Sequence, residues 1–158
     1  MKELDPEIRP VGVFVNAPME LVRTLLDDGT LALAQLHGQE DESYIRELKT
    51  YTDKLIIKAF SIKTAEDIEK ALQSPADYIL LDQGGGGTGK TFDWSLIPEI
   101  QRPFFLAGGI GASNLGQAIR EIHPYAVDLS SSVETEKRKD PMKIRQVVDI
   151  VREIRIIN

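Results

Sequence analysis

Six short apolar runs recur along the chain at nearly constant spacing, and this recurrence constrains the fold more than any other feature. The runs are VGVFV (Val11–Val15), LALAQL (Leu31–Leu36), LIIKAF (Leu55–Phe60), YILLD (Tyr78–Asp82), PFFLAGG (Pro103–Gly109) and YAVDLSS (Tyr125–Ser131). Their ends, near Asn16, His37, Ala59, Asp82, Gly108 and Ser130, lie 21, 22, 23, 26 and 22 residues apart. Each run is continuous or nearly so, which is how a strand reads when both faces are buried in a parallel sheet. A steady period of this size is one strand-plus-helix unit repeated.

The intervening segments have helical spacing. Ala17–Asp28 carries Met19, Leu21, Val22, Leu25 and Leu26, and Asp41–Thr50 carries Tyr44, Ile45 and Leu48. Thr64–Gln73 opens on a capping-box pattern, Thr64 followed by Asp67. Ala112–Ile122 and Pro141–Ile154 complete the set, with a weaker helical stretch at Asp93–Ile100. Strict alternation without a hairpin signal leaves an open doubly wound sheet or a closed barrel. Polar or glycine residues end nearly every run, whereas an open sheet would concentrate them at one switch point. The expectation is therefore α/β, a parallel (β/α)8 TIM-barrel fold with about six βα units present. It reads as one partial domain over residues 1–158. The opening MKELDPEIRP reads as the tail of a helix leading into a strand, so the chain is expected to begin mid-unit.

The net charge of -6 argues against a nucleic-acid-binding surface, although it leaves room for a local anion pocket. No run approaches the roughly 18 apolar residues of a membrane span, and no apolar signal core opens the chain. A cytoplasmic location follows as the default. The sequence contains no cysteine, which removes disulfides, thiolate metal sites and a thiol nucleophile or base.

Chemistry-bearing residues gather at the strand ends. LLDQGGGGTGKTFDW places Asp82 at a strand end, followed by a glycine-rich loop that includes Gly87 and Gly89. A carboxylate there can serve as general acid or base, and the loop can close over a substrate. The same stretch satisfies G-x-x-x-x-G-K-[ST] from Gly84 to Thr91. A nucleotide-binding loop, however, belongs to the first strand of its sheet, and this one comes late in a repeating series.

FFLAGGIGASN runs a strand into Gly108 and Gly109, where backbone N–H groups can approach a phosphate. The next unit ends in DLSSSVET, where Asp128, Ser130 and Ser131 join the candidate binding set. A phosphate held between the last two loops recurs in barrels. Gln35 and His37 sit at another strand end and are candidate substrate contacts. Lys58, a charge inside a strand, must face something polar, either the site or an interior salt bridge. Asn16 is similarly placed. His123 reads as a loop residue of the opposite rim, and Glu136–Asp140 (EKRKD) as a solvated approach to the last helix.

Taken together, VGVFVN, QLHG, the strand-end aspartate with its glycine-rich loop and GKTFDW, AGG and PYAVDLSS-VE resemble the phosphoribosylanthranilate isomerase (TrpF) family in order and spacing. The resemblance covers essentially the whole chain. It implies a tryptophan-biosynthesis enzyme that performs an Amadori rearrangement of N-(5-phosphoribosyl)anthranilate without metal or organic cofactor. It makes Asp82 the general acid, the loops at Gly108–Gly109 and Ser130–Ser131 the phosphate site, and the glycine-rich loop a lid.

Two departures stand out. The family's base, a cysteine in a K-[IV]-C-G motif, has no counterpart here, and the family's first two βα units are missing from this sequence. The usual S-S-G is S-S-S, with Ser132 where glycine is expected. Exposed first and last strand edges are expected to pair with another copy or with a missing N-terminal segment. The alternatives are a fragment that retains only phosphate binding, or a related phosphate-binding barrel enzyme such as indoleglycerol-phosphate synthase.

Overall fold

Parallel pairing of consecutive strands is the first consequence of the repeat. The computed structural model describes residues 5–83, 91 and 93–157. Six strands, β1 (Val11–Phe14), β2 (Leu33–Leu36), β3 (Leu55–Ser61), β4 (Tyr78–Asp82), β5 (Phe104–Leu106) and β6 (Ala126–Val127), form one sheet in sequence order. Val13 registers with Gln35 and Gln35 with Ile57, so each strand repeats the height of its predecessor. The helices are α1 (Met19–Asp27), α2 (Glu42–Tyr51), α3 (Ala65–Leu72), α4 (Leu115–Ile122) and α5 (Pro141–Ile157). None among the described residues is long and apolar enough to cross a membrane.

The chain divides into two compact units, Met1–Phe60 with Lys70–Leu80, and Ser61–Glu69 with Leu81–Asn158. In the first unit α1 and α2 turn their apolar stripes onto the strands. Val22, Leu26, Ile45 and Leu48 pack with Phe14, Leu36 and Ile56 in one buried cluster. Asp41 starts α2 by accepting a hydrogen bond from the Tyr44 amide at 2.9 Å, a capping interaction for an otherwise unsatisfied donor. In the second unit α4 packs on α5, burying Leu115, Ala118 and Val147. The Thr64–Asp67 pattern forms as read, with Asp67 Oδ2 accepting from the Thr64 amide at 3.0 Å.

Four local expectations need correction. Asp93–Ile100 is not a helix beyond a single 3-10 turn, Trp94–Leu96. Asp93 caps that turn, but Pro98 holds the preceding Ile97 in extended conformation and ends it. The runs Pro103–Gly109 and Tyr125–Ser131 contain strands of only three and two residues. Left-handed glycines stop β5 at Gly108, and a 3-10 turn over Ser131–Val133 follows β6.

Glu136–Asp140 is not a simple helix approach. Residues Glu134–Thr135 (β7) and Arg138–Lys139 (β8) form an antiparallel hairpin, turning through Glu136 and Lys137 at φ 51° and 63°. Asparagine and glycine ordinarily fill such turns, so Glu-Lys gave no hairpin signal. Finally, β1 is not buried on both faces. Phe14 is buried on one face, but Val13, and Val15 just beyond the strand, are 61% and 65% exposed on the other, which no described residue covers.

Leu26 is fully buried between α1 and the sheet. Replacing it with alanine is expected to lower unfolding stability by about 2–5 kcal/mol, read as a lower denaturant midpoint with unchanged slope.

Candidate active site

Strand-end residues gather in two groups, one in each unit. The first lies after β1, β2 and β3 and centres on Glu40, a residue the sequence reading passed over. Glu40 is buried, and its Oε1 accepts from the Asn16 amide at 2.6 Å. Its Oε2 accepts from the Gly38 amide at 2.9 Å and from Lys58 Nζ at 3.1 Å. Lys58 also donates to the carbonyls of Gly38 at 2.7 Å and Leu36 at 3.4 Å.

Of the two readings left open for Lys58, an internal ion pair is therefore present. Burial disfavours a charged Glu40. Hydrogen bonds from its own amide, Lys58 and the Asn16 amide outweigh that effect, aided by the Lys58 charge, and hold the carboxyl below its ordinary value. Asn16 adopts φ 53° and accepts from the Gln39 amide at 2.6 Å. Gly38 fits because it lacks a side chain: a β-carbon there would stand 2.5 Å from Asn16 Oδ1. Gln35 is buried, and its Oε1 lies 2.9 Å from His37 Nδ1. The sequence signal for Glu40 was available, since a carboxylate just beyond QLHG can neutralise the lysine inside the next strand.

The second group lies after β4, β5 and β6. Asp82 is half-buried at the end of β4, and its carbonyl accepts from the Ile62 amide at 2.7 Å. Its carboxylate lies against the turn after β5. A β-carbon on Gly108 would stand 2.6 Å from both Asp82 Oδ1 and the Gln83 nitrogen. Gly108 and Gly109 adopt φ 79° and 68°, a conformation glycine takes without penalty.

Asn114 fixes this turn from beyond. It accepts from the Gly111 amide at 2.9 Å and donates to the Gly109 carbonyl at 3.0 Å. The Gly111 amide is thus committed internally, while no acceptor among the described residues takes the N–H of Gly108 or Gly109. The turn after β5 meets the turn after β6 at Gly111, where a β-carbon would stand 3.1 Å from Ser132 Cβ. Gly111, Ala112, Ser113 and Ser132 line a cleft of about 330 Å³ together with Lys143 and Gln146 of α5. Asp128 follows β6 and donates its amide to the Leu106 carbonyl at 2.9 Å. Ser130 and Ser131 are exposed where the next 3-10 turn begins.

Gly87 and Gly89, with the rest of the predicted lid, lie outside the described residues. Among the described residues no cluster of three or more His, Asp or Glu side chains is placed to hold a metal ion.

A family model described as N-(5'-phosphoribosyl)anthranilate (PRA) isomerase matches residues 2–150. The chain belongs to that family. An N-(5'-phosphoribosyl)anthranilate isomerase of Endomicrobium trichonymphae is 44% identical over 155 residues, covering 96% of this chain and 76% of the relative. The solved phosphoribosyl anthranilate isomerase of Thermotoga maritima superposes with a TM-score of 0.83 at 36% identity, over 96% of this chain and 77% of that one. A solved isomerase in complex with reduced 1-(o-carboxyphenylamino)-1-deoxyribulose 5-phosphate gives a TM-score of 0.80 at 34% identity, over 96% and 75%. The fold is accordingly that of an incomplete (β/α) barrel, of which the described residues supply six parallel strands, and the enzyme class is isomerase.

Ser132, where the family pattern has glycine, is not among the described residues with positive φ. The backbone therefore accepts a side chain there, and the crowding falls on Gly111 instead.

Two outcomes follow. Glu40, with its lowered pKa, contributes stability that is fully present above the ordinary value of 4.5 and lost as pH falls through its native value. Wild type should lose stability below pH 4.5 in urea titrations, and Glu40→Gln should flatten that dependence. Gly108→Ala must place a β-carbon on the Asp82 carboxylate at positive φ. It is expected to cost about 1–3 kcal/mol, measured by chemical unfolding.

Proposed function

We propose that Asp82 is the general acid of an Amadori rearrangement and that the turns after β5 and β6 hold the substrate phosphate. The observation that carries this reading is the contact of the Asp82 carboxylate with Gly108, which puts acid and anion loop side by side within one compact unit. The substrate class is a phosphorylated aldosylamine, N-(5-phosphoribosyl)anthranilate. The amides of Gly108 and Gly109 and the hydroxyls of Ser130 and Ser131 suit a phosphate, since they donate without requiring a cation.

Asp82, protonated, gives its proton to the furanose ring oxygen. The C1′–O bond breaks and the anthranilate nitrogen lone pair forms the C1′=N bond of a protonated Schiff base. Loss of the C2′ proton to a base turns this into an enolamine, which tautomerises to the 1-deoxyribulose 5-phosphate ketoamine of tryptophan biosynthesis. The acid stays in place throughout, so positioning and proton transfer supply the acceleration.

Gln35, His37 and Asp128 stand as candidate substrate contacts on their strand-end positions. The base of the C2′ step is a cysteine in the family and is absent from these 158 residues. We infer that the base lies in the quarter of the family length that these residues do not cover.

The test follows fluorescence loss of phosphoribosylanthranilate, using the chain alone and with the N-terminal quarter of a relative added in trans. Activity is expected on addition, and Asp82→Asn should lower it by about 10²–10⁴-fold while inorganic phosphate still binds. Undiminished turnover by Asp82→Asn would remove the general-acid assignment. Turnover that never appears, with phosphate still bound, favours the reading as a phosphate-binding fragment.

A further inference from the structure

Resting on the phosphate reading of the turns after β5 and β6, we propose that Lys139 is a positioning residue that sets the Ser130 hydroxyl as a donor to the substrate phosphate. The β7–β8 hairpin is what brings it there. Glu136 and Lys137 both take left-handed backbone without being glycine or asparagine, an arrangement that has a conformational cost and returns the chain towards the β6 turn.

At the end of that return, Lys139 Nζ donates to the Ser130 carbonyl at 3.0 Å, to Ser130 Oγ at 3.3 Å and to Glu134 Oε1 at 2.7 Å. An ammonium has three protons, and all three are used. Glu134 offsets the charge of Lys139 and would itself repel an anion, so Lys139 is poorly suited to bind phosphate as a point charge. Its effect runs through Ser130.

A hydroxyl has one proton, and an oxygen already accepting from an ammonium has that proton to give. Among the described residues no acceptor takes the Ser130 hydroxyl proton, and Ser130 is exposed. Polarised by the charged donor, the hydroxyl makes a stronger bond to an incoming phosphate oxygen. Holding the Ser130 carbonyl fixes the backbone from which the hydroxyl is presented. Without Lys139 the hydroxyl can turn to its own backbone instead.

The experiment is a calorimetric titration of the full chain with inorganic phosphate, in wild type, Lys139→Met, Lys139→Arg, Ser130→Ala and the double variant. Thermal unfolding of each confirms that it is folded. Lys139→Met and Ser130→Ala are each expected to weaken phosphate binding by about three- to tenfold, the loss of one modest hydrogen bond. The double variant should bind no more weakly than Ser130→Ala alone, and Lys139→Arg should recover most of the loss.

Unchanged affinity in Lys139→Met overturns the proposal while leaving the phosphate reading intact. Additive losses in the double variant also overturn it, because Lys139 would then act independently of Ser130. No phosphate binding by wild type overturns the underlying reading, and the proposal with it.

Discussion

At the end of β5 the main chain passes within contact distance of a carboxylate, and it can do so only because residue 108 has no β-carbon. Most of the second unit's functional geometry depends on that contact. A side chain at 108 would push the turn away from Asp82 and Gln83. The Gly108 and Gly109 amides would move with it, as would the Asn114 clasp that holds Gly109 and Gly111. The same turn meets Ser132 at its far end, so one short segment ties the acid of β4 to the loop after β6. The first unit repeats the device with different residues: Gly38 lies against Asn16, and Glu40 gathers the amides of both loops.

Much of this was legible in the sequence because strand ends in a repeating βα chain are fixed by period alone. Asp82, Gly108 and Ser130 fall where the spacing puts them, and the apolar runs place five of the helices to within a few residues. What escaped was contact that periodicity does not encode. Glu40 lies four residues past its strand, off the period, and the need to neutralise Lys58 is its one sequence signal. The hairpin at Glu134–Lys139 escaped because Glu136 and Lys137 turn through left-handed backbone without the glycine or asparagine that would signal it. The exposed face of β1 escaped for another reason: an apolar run is equally apolar whether or not something covers it.

The chain's charges make a further point about anion recognition. A net charge of -6 is a poor starting point for holding a phosphorylated substrate. Among the described residues, the lysines beside the turn after β6 are engaged with other groups. Lys139 is paired with Glu134, and Lys143 donates to the Glu134 carbonyl at 2.6 Å. On the reading proposed above, recognition rests on fixed dipoles, the amides of left-handed glycines and oriented hydroxyls. Such donors need no counter-ion, stay in place when the ligand leaves, and lose little to salt compared with exposed cations. On the same reading, Lys139 in this acidic protein holds the Ser130 dipoles in position instead of meeting the anion itself.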